Sequence, residues 1–174
     1  MIRISLLIVL LATSLLPASS GLVFSRMEAW RSATESELKA IIPARAPVEK
    51  ERIETEFRTA SGITDGKGKF VAGVVLITAG YSAEGKYSHF FLTQVPIKLR
   101  NLSLKPGEYV FGWRKDSDSL AVSFYEAQTG KYLGRVEALR NSRVGRIESF
   151  QIQPPSEKPL ILIGRFGFPY KLGN

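Results

Sequence analysis

The 174-residue chain has no cysteine, one histidine and two methionines. Without cysteine there is no disulfide framework, thiolate zinc site, iron–sulfur cluster or cysteine nucleophile. A single histidine excludes a multi-histidine metal centre, so neither a metal nor another cofactor is expected. Beyond the first twenty residues no apolar run approaches the roughly twenty residues that a spanning helix needs. What is plentiful is apolar surface and positive charge: 44% of residues are hydrophobic, and 24 Lys and Arg face 16 Asp and Glu. That apolar share suits a folded domain and not a disordered chain.

Residues 1–20 read as a secretory signal peptide: Arg3, an apolar run over 4–16, then Pro17, Ala18, Ser19 and Ser20. Small residues at 18 and 20 suit a signal peptidase, with cleavage expected before Gly21. The run is also too short for a retained anchor. Residues 21–174 are therefore expected outside the cytoplasm, periplasmic or extracellular, with no transmembrane segment. An exported chain without disulfides must rely on its own apolar core, which about 150 residues can supply.

Residues 21–47 form an expected helical arm and linker, and residues 48–174 a β domain. Met27, Trp30, Thr34, Leu38 and Ile41 recur at three- and four-residue steps, and Thr34 with Glu37 has capping-box spacing. The helix should stop before Pro43, leaving 43–47 extended. From Arg52 the period becomes two. Strands are predicted over 52–59, 70–79, 87–95, 97–102, 108–115, 120–126, 132–139, 146–153 and 160–168, with turn residues between them. About eight to nine short strands suit an antiparallel β-sandwich with a Greek-key arrangement.

The run Leu102-x-Leu104-x-Pro106-Gly107-x-Tyr109, followed by an alternating strand, resembles the corner of immunoglobulin-like and fibronectin-type sandwiches. The resemblance covers about ten residues and implies a tyrosine hydroxyl bonded back to the turn's backbone. It implies nothing about activity. The chain departs from those families in lacking a cysteine pair and in having four predicted strands after the corner strand.

Candidates for chemistry are few. His89, within Tyr87-Ser-His-Phe-Phe-Leu92, would share a strand face with Tyr87 and Phe91, and alternation would turn Ser88 away from it. Gly62-Ile-Thr-Asp-Gly66-Lys67-Gly68 lacks the spacing and the Ser or Thr of a phosphate loop and reads as a hairpin loop. Asp116-Ser-Asp118 lacks the later glycine and the closing glutamate of a calcium loop. Glu137 and Glu148 would face each other if 132–139 and 146–153 formed a hairpin, and such a pair could serve acid catalysis. Arg135, Arg140 and Arg146 nearby favour a salt-bridged surface instead.

Charge is the constellation that stands out. From Lys98 onward thirteen Lys and Arg oppose seven Asp and Glu, whereas 21–97 is nearly balanced. Arg140, Arg143 and Arg146 crowd one predicted turn, with Arg135 on the strand before it. Guanidinium groups grip carboxylates and phosphates bidentately, so these four are the candidate ligand-binding residues. Outside the cytoplasm the partners would be an anionic envelope polymer, a glycan or an acidic protein surface. Nucleic acid is not expected, because export removes it and no recognition module is present. The leading expectation is an exported, non-enzymatic β module that binds or scaffolds. Its rivals are a small secreted hydrolase using Glu137 and Glu148 or His89, and a subunit that docks through the amphipathic arm.

Overall fold

The computed structural model describes residues 30–142 and 145–173. The expected signal peptide, Met27 of the helical stripe and Arg143 lie outside them. The chain runs β1 (Arg31–Ser32), α1 (Glu35–Ile41), β2 (Arg45–Val48), β3 (Glu51–Thr64), β4 (Phe70–Leu76), β5 (His89–Thr93), β6 (Ile97–Leu99) and β7 (Leu102–Leu104). It continues with β8 (Gly107–Asp116), β9 (Ser119–Glu126), β10 (Tyr132–Arg140), β11 (Gln151–Ile152), β12 (Leu160–Ile163) and β13 (Phe166–Leu172).

The chain is all-β and antiparallel, as alternation from Arg52 onward predicts, but it is not two packed sheets. One sheet runs β1-β3-β4-β5-β8-β9-β10-β13-β12-β11 and curls until its ends nearly meet. At that seam Ile152 N–H donates to Ser61 Oγ of β3 at 2.9 Å. Curling is favoured because a twisted sheet with one continuous apolar face buries it best against itself. That inner face carries Phe91, Phe111, Phe124, Phe150 and Phe168, all buried, with aliphatic side chains between them. β10 meets β13 only at Leu139–Arg140, beyond which the strands splay. The β6–β7 hairpin fills the fork by pairing β6 with Tyr170–Leu172.

A second apolar cluster explains why β4 and β5 read as apolar on both faces. Ala72, Val74, Phe90 and Leu92 point outward and are covered by Leu38 and Ile42 of the helical segment and by Ala46 and Val48 of β2. Thr34 and Glu37 form the predicted capping box. The helix is thus clamped to the barrel by Leu38 and Ile42, whereas Trp30 of the expected stripe precedes β1 and packs against the inner cluster. The stretch expected as an extended linker pairs with β3 through Arg45–Val48.

Three predicted strands differ from what forms. Residues 97–102 break at Arg100, whose φ is 51°, so that β6 ends at Leu99 and turns back into β7 from Leu102. Residues 160–168 split into β12 and β13 at Gly164, whose φ of 57° makes the turn. Of 146–153 only Gln151–Ile152 is a strand, and its partner is β12. The tyrosine corner forms locally: the Tyr109 hydroxyl donates to Lys105 C=O at 2.6 Å. It pins the β7–β8 turn in a barrel and not in a sandwich, because the bond is set by four residues of turn and not by sheet order. Tyr109→Phe should lower folding stability by about 1 kcal/mol in denaturant titration, since the ring stays buried and only the hydrogen bond is lost. No change would mean that the carbonyl is equally well satisfied by water.

Candidate functional site

On β8, β9 and β10 the inner rows are apolar, so by alternation the outer rows face away from the core. Cross-strand register sets Gly112, Ser123 and Arg135 in one outer row and Arg114, Ala121 and Glu137 in the next. Glycine, serine and alanine leave the floor of this face low, while arginines stand at its sides. A groove of about 780 Å³ results, bordered by Lys98, Arg100 and Asn101 of the β6–β7 hairpin and by Arg135 of β10. A smaller groove of about 380 Å³ adjoins it, sharing Ala121 and Arg135 and extending to Arg114, Tyr125 and Lys86.

The charges of this face are unequal in their availability. Lys86 is engaged: its Nζ lies 2.7 Å from Glu49 Oε1 and over the rings of Tyr87 and Tyr125. The Glu49 carboxylate beside it holds the Lys86 ammonium's pKa above its ordinary value. Lys98, Arg100, Arg114 and Arg135 have no carboxylate partner among the described residues. Asp116 and Glu137 are the carboxylates lining the groove, and Arg100 reaches only the backbone carbonyl of Glu137, at 3.5 Å. The face therefore offers an anion four guanidinium or ammonium groups beside a floor of small side chains.

The arginine cluster expected at one loop tip is divided. Arg135 belongs to the groove. Arg140, five residues on and so on the opposite strand face, ends β10 opposite Phe166. Arg146 lies 2.7 Å from Glu148 and is paired with it. Arg143 is outside the described residues. The expected opposition of Glu137 and Glu148 does not form. Their two segments are not a hairpin: β10 pairs β9 and β13, while 146–150 carries no ladder. Glu137 lines the basic groove, whereas Glu148 stands at the barrel's end.

His89 is inside the barrel, on the inner face with Phe91, stacked on Phe111 with ring centroids 4.6 Å apart and 5.3 Å from Phe150. Tyr87 does not share that face; it packs in the outer cluster, because Lys86 and Tyr87 belong to a turn bonded to Ala83 C=O before β5 begins. For the same reason alternation fails at Ser88, whose Oγ lies 2.8 Å from His89 Nδ1. A serine beside an imidazole is the start of a hydrolytic pair, but its electrostatics are unsuited to catalysis. Burial pushes the imidazole down to about 3, far too low for a general base at neutral pH. Its Nε2 has no hydrogen-bond partner, so no carboxylate orients it.

His89 and Ser88 line an apolar cleft of about 590 Å³ at the end of the barrel made by the β8–β9 and β12–β13 turns. Trp113 and Ile147, each 46% exposed, stand at its mouth. Among the described residues no cluster of three or more metal-ligating side chains occurs, and no helix is long and apolar enough to cross a membrane.

Sequence reading found Arg135 but missed Lys98, Arg100 and Arg114 as its companions. Hairpin β6–β7 reaches β10 only through the fork between β10 and β13, a long-range placement with no local signal. No protein-family model, curated protein or solved structure matches the chain.

Proposed function

We propose that the protein is an exported, non-enzymatic binding module that holds an anionic envelope polymer or acidic glycan in the groove on the outer face of β8–β10. The observation that carries this reading is the set Lys98, Arg100, Arg114 and Arg135, four cations without carboxylate partners along one low-floored face. An extended anion with repeated carboxylate, sulfate or phosphate groups can meet several of them at once, and guanidinium forks favour such groups. Tyr125 at the groove's far end offers a ring for a sugar to lie against.

The non-enzymatic part of the reading rests on what accompanies the candidate catalysts. Glu137 and Glu148 stand on separate features, and the His89 imidazole lacks both an orienting acid and a useful basicity. Docking of a partner onto the helical arm is disfavoured, because Leu38 and Ile42 are spent on the barrel's own outer cluster.

The test is binding of a sulfated or carboxylated polysaccharide by calorimetry across a salt series. Affinity should fall steadily as salt rises, since exposed charges are screened within about 8–10 Å at physiological ionic strength. The triple variant Lys98→Glu, Arg100→Glu and Arg135→Glu should bind about thirtyfold more weakly, from three exposed contacts of up to roughly 0.7 kcal/mol each. Reversal of Arg140 and Arg146 should change little. Equal loss in both variants would mean that only net charge matters, and the groove would not be the site.

A further inference from the structure

The groove leaves the apolar cleft at the barrel's end unexplained. Val75, Leu120, Ile163 and Phe166 form its walls, and the ring of His89, 4% exposed, lies at its inner side. Trp113 follows Phe111 on the same strand face, so the aromatic row of the core simply continues out to the mouth. Nearly half of Trp113 and of Ile147 remains open to solvent there. Large side chains of this kind, gathered around a concavity of several hundred Å³, are what small-molecule sites are made of.

The charges sort by depth. Arg146 and Glu148 neutralise each other beside the mouth. Lys115 and Arg165 also border the cleft and have no carboxylate partner among the described residues. Within, the histidine carries no charge at neutral pH, because its burial disfavours the imidazolium. The cleft is thus apolar and uncharged inside and cationic at its rim, the complement of a molecule with an apolar body and an anionic end.

We propose that this cleft is a second binding site, for a single-chain aliphatic carboxylate whose chain lies between Leu120, Ile147, Ile163 and Phe166 and whose carboxylate meets Lys115 and Arg165 at the mouth. Trp113 lies along the chain where it leaves the barrel and shields it from water. The site shares Trp113 with the smaller arm of the polymer groove but neither Lys115 nor Arg165, so reversal of those two charges tests it separately from the groove.

The experiment is titration of the full chain with dodecanoate below its micellar concentration, read by calorimetry and by tryptophan emission. Dodecyltrimethylammonium serves as the probe of equal chain length and opposite charge. Saturable 1:1 binding of dodecanoate with a shift in Trp113 emission is expected, with the cationic amphiphile at least about tenfold weaker. Lys115→Glu with Arg165→Glu should reverse that preference while leaving the circular dichroism spectrum and polysaccharide binding unchanged. Trp113→Ala should abolish the emission shift and weaken dodecanoate. The proposal fails if dodecanoate gives no saturable signal, if both amphiphiles bind equally, or if the double reversal leaves their ratio unaltered.

Discussion

Between pH 6.5 and 4.5 the wild-type protein should lose about 2 kcal/mol of folding stability that a His89→Phe variant keeps. The cause is a difference in protonation between the two states. In the native barrel the ring is stacked on Phe111 and shut away from water, and desolvation holds it neutral down to about 3. In the unfolded chain the same ring takes up a proton near 6.5. A group whose native pKa is depressed contributes its full stability above the unfolded value and loses it as pH falls toward the native one, so the unfolded state gains a proton throughout this window. Carboxylates cancel in the comparison, because wild type and variant share them. Glu37, held at about 2 mainly by the Arg31 guanidinium, and Glu54, held at about 2 by the Tyr81 hydroxyl and then Arg45, lose their contribution as pH falls through about 4.5 toward 2, equally in both proteins.

Phenylalanine suits the site because it preserves the stack and removes Nε2, the unpartnered buried nitrogen. Ser88 retains an acceptor, its Oγ lying 3.3 Å from Phe111 C=O. Urea titrations at pH 6.5, 5.5 and 4.5 measure the effect, with His89→Leu as a second variant if the larger ring is not accommodated. Parallel slopes in wild type and both variants would show that His89 is not buried neutral, and would place water or an acid beside Nε2.

Gly112→Ala should cost about 3 kcal/mol or more and lower the melting temperature clearly. A methyl at this position would lie 2.0 Å from Lys86 C=O, a contact with backbone that no rotamer change relieves. The crossing segment cannot retreat cheaply. Lys86 and Tyr87 N–H both donate to Ala83 C=O at 3.0 Å, Ser88 N–H donates to Phe111 C=O at 2.9 Å, and Lys86 is held by Glu49. Thermal melting measures the effect, with Gly145→Ala as the control: a Cβ there meets nothing within 4 Å, and its cost should stay within about 0.5 kcal/mol. A Gly112→Ala variant as stable as the control would mean that 86–88 does not pack over β8. The far end of the basic groove would then be differently shaped.

Both predictions involve positions whose importance the sequence conceals. Gly112 reads as an ordinary residue within an aromatic strand, and nothing nearby announces that 86–88 crosses it. His89 is partly legible: alternation places it with Phe91, but its Ser88 contact arises from a turn that interrupts the alternation. The capping box of Thr34 and Glu37 and the Tyr109–Lys105 bond are fully legible, since each closes within four or five residues of chain. Sheet closure is not, because a period of two looks the same in a sandwich strand as in a barrel strand.

The sequence by itself determined the all-β class, most strand positions, the helix with its cap, the corner at Tyr109 and the gathering of positive charge after Lys98. These depend on local periodicity, turn chemistry and composition. Tertiary structure decided that the sheet curls into a nearly closed barrel, that Arg135 joins Lys98, Arg100 and Arg114 and not Arg140 and Arg146, and that Glu137 and Glu148 stand apart. It also decided that the lone histidine is an uncharged wall of an apolar cleft. The physical reason is the same in each case: strand pairing at long separation chooses which outer rows become neighbours, and burial sets the charge a side chain can carry. Neither quantity is contained in the spacing of residues along the chain.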